Sequence, residues 1–345
     1  MKPPFRITNE IVTQVAEIAE AVGAFSATAF HGMDFRLRRE ARIRTVHASL
    51  AIEQNTLTLE QVTAVLAGKT VIAPPKDIAE VQNAFELYEH LDRLDPTSME
   101  DLLAAHGVML RGLMPDAGAF RTRPVGVVNN AGEIVHFGTL PDYVPGAVSE
   151  LLAWLKTSRL HPLILGCVFH YEFEVIHPFL DGNGRMGRLW HTLILSKWNP
   201  LFAWLPVESM IYRNQEAYYR AINDCNDVAD STEFIRFMLD VIKKTLSEAM
   251  DVAEQVGTST EQVGTSPEQV RNKSGEKPGQ VDAEALLAFC SVPKSRAEMQ
   301  EFCGVGGRKR FYTQCLLPLL ESGRLAMTIP EKPNSSRQRY VATGK

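Results

Sequence analysis

Twelve consecutive residues, His177-Pro-Phe-Leu-Asp-Gly-Asn-Gly-Arg-Met-Gly-Arg188, constrain this chain more than any other segment. Glycines at 182, 184 and 187 let backbone amides approach a ligand closely, and the interleaved arginines suit an anion such as phosphate. His177 supplies a base that works near neutral pH, and Asp181 a carboxylate able to hold a divalent cation. The preceding run from Pro162 to His177 is apolar at helical spacing and stops at Pro178. That pattern predicts a buried helix with His177 at its junction with a loop. Residues 181–188 then form a loop and the start of a second helix through Leu189, Leu193 and Leu195, whose free N–H groups and dipole favour an anion. Together these features point to phosphoryl or nucleotidyl transfer.

Two competing readings share these residues. Gly182-Asn-Gly184-Arg-Met-Gly187 also spells the Gly-x-Gly-x-x-Gly of a dinucleotide-binding turn, with Glu208 about 20 residues on. That reading needs a buried strand running into the first glycine, and His177, Pro178, Phe179, Leu180 and Asp181 are not one. His170, Glu174 and His177 share a helical face that imitates a zinc site, but further ligands at zinc spacing are missing.

Every defined position of the segment resembles the signature of the Fic family, His-Pro-Phe-x-(Asp/Glu)-Gly-Asn-Gly-Arg-x-x-Arg, with Gly187 in the common Gly-Arg ending. The resemblance implies a mainly α-helical Fic-type bundle that transfers AMP from ATP to hydroxyl side chains of other proteins. It implies His177 as general base and Asp181 as the carboxylate on Mg²⁺. It also implies Asn183 with the Gly182 and Gly184 amides as an anion hole, and Arg185 and Arg188 on the β- and γ-phosphates.

Further segments extend the resemblance. Tyr212 to Asn226 is similar to the helix that walls the adenine pocket, with Tyr218, Tyr219 and Asn226 at matching positions; core packing is the alternative for either tyrosine. Residues 124–140 hold two β-branched runs around Asn130-Ala-Gly132, a hairpin signature, and resemble the family's flap, which positions an extended target segment and brings Phe137 and Gly138 nearest the nucleotide. Ala48-Ser-Leu-Ala-Ile-Glu-Gln-Asn55 resembles the autoinhibitory helix, Ser49 and Glu53 matching. Glu53 is then expected on Arg188, denying the γ-phosphate its seat. Gln54 replaces the expected Gly or Asn, which bears on how the helix ends.

The rest of the chain is read from composition. At 345 residues and 45% hydrophobic there is enough chain for two or three ordinary cores. Residues 1–110 read as an N-terminal helical region with the inhibitory helix around 45–56, and residues 111–250 as the catalytic core. Residues 251–282 read as a flexible linker, since Glu254-Gln-Val-Gly-Thr-Ser repeats at Glu261 with one valine per heptad and helix-disfavouring composition. Residues 283–345 carry ten Lys/Arg against five Asp/Glu, leaving −10 for the remainder. Their order of short helices and two β-like runs resembles a winged helix-turn-helix. DNA, with Arg308 opening the reading helix and Lys309 and Arg310 on phosphates, stands there beside a protein-interaction or dimerisation role.

Five dispersed cysteines argue against disulfides and structural zinc. With no leader or long apolar run, the expected location is the cytoplasm, without membrane contact. A homodimer fits the resemblance. Phosphate transfer, removal of AMP, and nucleotide sensing by a DNA-binding regulator remain as alternative functions.

Overall fold

The computed structural model describes residues 2–28, 35–128 and 134–261, and beyond these 286–287, 289–290, 293–303, 311, 316–328 and 338–343. The chain divides into two units, Met1–Thr265 and Ser266–Lys345. The first is mainly helical: α1 (Asn9–Thr28), α2 (Phe35–Ile52), α3 (Leu59–Leu66), α4 (Pro75–Glu89), α5 (Met99–Met109), α6 (Val144–Thr157), α7 (Pro162–Ile176), α8 (Asn183–Trp198), α9 (Val207–Arg213), α10 (Gln215–Val228) and α11 (Thr232–Glu261).

Helix α7 is the centre of this unit because both of its long faces are apolar. Leu165, Phe169, Phe173 and Ile176, at spacings of three and four, pack into one core with α8, α5 and α4. Leu163, Ile164, Cys167, Val168 and Tyr171 lie on the opposite face in a second core with α1, α9 and α11. A helix buried on both faces is rigidly held, and α7 and α8 pack directly against each other. The loop between them, which carries the twelve-residue segment, is therefore fixed at both ends. A helix, not a strand, precedes Gly182, so the dinucleotide-fold reading fails.

The hairpin pairs β1 (Gly126–Val128) with β2 (Ile134–Phe137) in antiparallel register, Gly126 opposite Phe137, with an irregularity between Val127 and Val128. Its turn, Asn130-Ala-Gly132, lies outside the described residues. The hairpin is fastened to the end of α7: Thr139 N donates to Ile176 O at 3.2 Å, and His136 Nε2 lies 2.8 Å from Val175 O.

Helix α11 continues to Glu261, so residues 251–261, assigned to linker from their composition, are helical. The remaining repeats, 262–285, lie outside the described residues. In the second unit, Ser295 and Glu298 cap each other at the start of α12 (Arg296–Phe302). Helix α13 (Leu317–Glu321) leads to β3 (Leu325–Met327), which pairs antiparallel with β4 (Tyr340–Ala342). Leu286, Cys290, Met299, Phe311, Leu316 and Leu325 form its core. Arg308, Lys309 and Arg310 lie outside the described residues. Among the described residues no helix is long and apolar enough to cross a membrane, and Cys167, Cys225 and Cys290 are buried free thiols.

Candidate active site

His177 ends α7 in the left-handed conformation, φ 51° and ψ 61°. Proline at 178 disfavours a further helical residue before it, and a non-glycine residue in this region costs about 1–2 kcal/mol. Buried Arg121 holds the conformation in place. Its Nε donates to His177 O at 2.7 Å, its Nη2 to Ile176 O and Thr139 O, and its Nη1 to Arg123 O. One guanidinium thus fixes both the backbone of His177 and the foot of the hairpin. The His177 Nδ1 lies 3.3 Å from Glu174 O, so a proton there leaves Nε2 as the free acceptor. Burial lowers the imidazole to about 4, and it is neutral at physiological pH.

The loop after His177 is braced from within. Asn183 Oδ1 accepts from Phe179 N and its Nδ2 donates to Phe179 O, both at 2.9 Å, and the side chain is buried. Read from sequence, Asn183 belongs to an anion hole; in the structure its amide is spent on closing the loop. His106 braces the loop from α5. Its Nδ1 accepts from Gly118 N at 2.9 Å, which places the ring proton on Nε2, 3.1 Å from Asp181 O, and the ring stacks on Phe179 at 3.6 Å. Gly182 has φ 82°, and a Cβ there would meet Leu110 Cδ2 at 2.7 Å, so glycine is required by conformation and by space. The Gly182 N–H is taken by Asp181 Oδ1 at 2.6 Å. The first-turn N–H groups of α8, from Asn183 to Arg185, have no intrahelical acceptor and form an anion-favouring helix start.

The two arginines have different surroundings. Arg185 is 3% exposed and lies between two carboxylates, its Nη1 3.0 Å from Glu80 Oε1 and its Nη2 2.8 Å from Asp181 Oδ1. Expected on phosphate, it is held here against Asp181. Burial alone would raise the Asp181 carboxyl; Arg185 and the Gly182 N–H bring it below its ordinary value. Both hydrogen bonds of Asp181 fall on Oδ1, and the side chain is 45% exposed. A hard cation that keeps waters and shares phosphate oxygens fits such a lone carboxylate. Among the described residues no group of three His, Cys, Asp or Glu would hold a metal unaided.

Arg188 is 1% exposed and faces α2. Its Nε donates to Ser49 Oγ at 3.1 Å, and its Nη2 to Ser49 O at 2.9 Å and to Glu53 Oε1 at 2.7 Å. Gly184 makes room for this arrangement, since a Cβ there would overlap Glu53 Oε1. Gly187 does not face this space. A Cβ on it would meet Glu174 Oε1 at 2.8 Å and His170 Cδ2 at 3.0 Å, so it serves the packing of α8 on α7. Glu174 is pushed up to about 8 by burial.

On α10 the adjacent tyrosines part company. Tyr218 is buried, with its hydroxyl 3.0 Å from His170 Nε2, and belongs to the core. Tyr219 is partly exposed. Asn226, expected at the adenine pocket, accepts from Tyr171 OH at 2.9 Å through its Oδ1. Phe137 is 70% exposed at the end of β2. A Cβ on Gly138 would crowd Arg121 Nη2 at 2.8 Å and His177 Cβ at 3.1 Å, so this glycine lets the hairpin approach His177. Sequence reasoning missed Arg121, His106 and Glu80. Each acts through backbone carbonyls or a second side chain, and no local motif marks such a role.

The Fic/DOC family matches residues 96–195, and the C-terminal domain described as that of a "Filamentation induced by cAMP protein Fic-like" matches residues 280–343. A "Protein adenylyltransferase Fic" of Nematostella vectensis is 29% identical over 61% of this chain and 49% of its own length. "Protein adenylyltransferase fic-1" of Caenorhabditis elegans is 32% identical over 59% of this chain and 40% of its own. The chain thus spans about half or less of the length of these curated relatives. The crystal structure of a Fic family protein from Desulfovibrio desulfuricans G20 matches with TM-score 0.71 and 43% identity, covering 100% of this chain and 99% of that one. Identity at that level, running from end to end of both chains, goes beyond a shared fold: this chain belongs to the Fic family.

Proposed function

We propose that this chain transfers AMP from ATP to a hydroxyl side chain of another protein, and that Glu53 holds it at rest. The observation that carries the reading is the seat between Gly184 and Arg188. It is shaped for anionic oxygens, and the Glu53 carboxylate fills it at 2.7 Å from the guanidinium. The names of the curated relatives, which are adenylyltransferases, support the same reaction.

In this reading His177 Nε2 takes the proton of the target hydroxyl. The hydroxyl oxygen forms a bond to the α-phosphorus, the bond to the bridging oxygen breaks, and pyrophosphate leaves. The neutral state of His177 makes it a ready acceptor, and Arg121 keeps its ring at the end of α7. The first-turn N–H groups of α8 face the phosphate charge without reorganising. Asp181 would hold Mg²⁺, which supplies charge neutralisation on the phosphates when bound. Arg188, once Glu53 withdraws, takes the terminal phosphate. Tyr219 and Asn226 flank the adenine, and the edge of β2 at Phe137 receives an extended segment of the target.

The test is incubation of Glu53→Gly protein with Mg²⁺ and ATP labelled at the α-phosphate, beside the native chain and Glu53→Gly/His177→Ala. The expected result is strong protein labelling in the first, weak in the second and none in the third. Label transferred only from the γ-position would replace this reading by phosphate transfer. Loss of AMP from pre-labelled protein, faster in the native chain, would replace it by AMP removal.

A further inference from the structure

Outside the segment that matches the Fic/DOC family, Glu80 on α4 is a buried carboxylate with an unusual set of partners. Its Oε1 accepts from Arg185 Nη1 at 3.0 Å, and its Oε2 accepts from Asn55 Nδ2 at 2.8 Å. Lys76 Nζ stands 3.8 Å from Oε1 at the solvent edge. Arg185 in turn holds Asp181 Oδ1 at 2.8 Å. The result is one line of bonded groups, Asn55 to Glu80 to Arg185 to Asp181, reaching from the end of α2 to the loop before α8.

The physical consequence lies with Arg185. A guanidinium on a side chain only 3% exposed has lost most of its hydration, and one carboxylate on one edge leaves it poorly compensated. Glu80 takes Nη1 while Asp181 takes Nη2, so each terminal nitrogen of the guanidinium is tied to its own anion. That fixes the rotamer of Arg185, and through it the direction of Asp181 Oδ1. Glu80 has little freedom to turn away, because Asn55 holds its second oxygen while also bonding Asp77 O and accepting from Leu57 N.

We propose that Glu80 is a positioning residue for cation binding: through Arg185 it orients the Asp181 carboxylate, so that one oxygen is bound within the protein and the other is presented to the metal of a metal–nucleotide complex. This rests on the reading of the site as nucleotide-binding. It adds a residue from α4, and it ties the metal ligand to the same helix end that carries Glu53.

The test uses the full chain with Glu53→Gly, a non-hydrolysable ATP analogue and Mn²⁺, whose binding is followed by electron paramagnetic resonance. Affinity for the analogue without metal is measured in parallel by calorimetry. Glu80→Ala is expected to weaken Mn²⁺ binding about tenfold, as loss of an outer-shell partner does, with metal-free nucleotide affinity changed less than about twofold. Glu80→Gln keeps an acceptor for Arg185 and loses the charge, and is expected to weaken Mn²⁺ about threefold; it decides the matter if Glu80→Ala does not fold. Unchanged Mn²⁺ affinity in the folded variants overturns the proposal, as does equal loss of metal and metal-free nucleotide binding, which marks a purely structural role. Failure of the Glu53→Gly parent to bind the analogue would bring down the functional reading itself, a result distinct from either.

Discussion

Glu53 Oε1 lies 2.7 Å from Arg188 Nη2, in a space that exists because residue 184 has no side chain. Burial would lower the Arg188 guanidinium, and the facing Glu53 carboxylate raises it beyond its ordinary value, so the cation stays charged and matched. A hydrogen bond to a charged group is worth about 1.5–3 kcal/mol, and an incoming phosphate must replace it. Glu53→Gly is therefore expected to tighten ATP binding by about 10- to 100-fold. Calorimetric titration of both forms checks this.

Gly184→Ala separates the proposed brake from the proposed phosphate seat. The added methyl overlaps Glu53 Oε1, so the carboxylate is displaced, but the same methyl obstructs a phosphate. The expected outcome is no activation, in contrast to Glu53→Gly, measured as α-phosphate transfer. Activity equal to that of Glu53→Gly would show that phosphate does not use this space.

Helix α2 ends in a Schellman arrangement: Asn55 N donates to Leu50 O and Gln54 N to Ala51 O, with Gln54 at φ 65°. Glutamine in this conformation carries a steric cost that glycine lacks. Gln54→Gly is expected to stabilise the chain by about 1 kcal/mol, read from the midpoint of denaturant unfolding. No gain, or a loss, would show that unfolded-state entropy outweighs the relief of strain.

Burial disfavours the imidazolium of His177, so the free base persists until pH falls through about 4. The rate of Glu53→Gly attributable to this group should stay level from about pH 5.5 to 7.5 and decline only on further acidification. A pH profile of kcat/KM tests this, and an acid limb centred near 6.5 would show that the ring is solvated during turnover.

Tyr218 and Tyr219 should respond oppositely. Tyr218→Phe removes the partner of buried His170 Nε2 and should cost about 1–3 kcal/mol of stability with an unchanged KM for ATP. Tyr219→Ala should leave stability nearly unchanged and raise KM for ATP about tenfold through lost stacking. A KM effect at Tyr218 in protein of full stability would reverse the assignment.

Much of this protein was legible in its sequence, because the determining interactions are local. Helical periodicity located α7 and α8, Pro178 marked the end of α7, and β-branched runs marked the hairpin. The spacing from His177 to Arg188 assembled base, carboxylate and glycines on one loop, whereas the pairing of Glu53 with Arg188, 135 residues apart, was expected only from the resemblance of Ala48–Asn55 to the family's autoinhibitory helix. Tertiary structure decided what each polar side chain spends its hydrogen bonds on. Asn183 closes its own loop on Phe179, Arg185 lies between Glu80 and Asp181, Tyr218 faces His170, and Gly187 packs against Glu174. Arg121, His106 and Glu80 came from segments remote in sequence. A buried polar group must find a partner wherever the fold supplies one, and that choice is set by three-dimensional proximity, which periodicity and spacing along a chain do not encode.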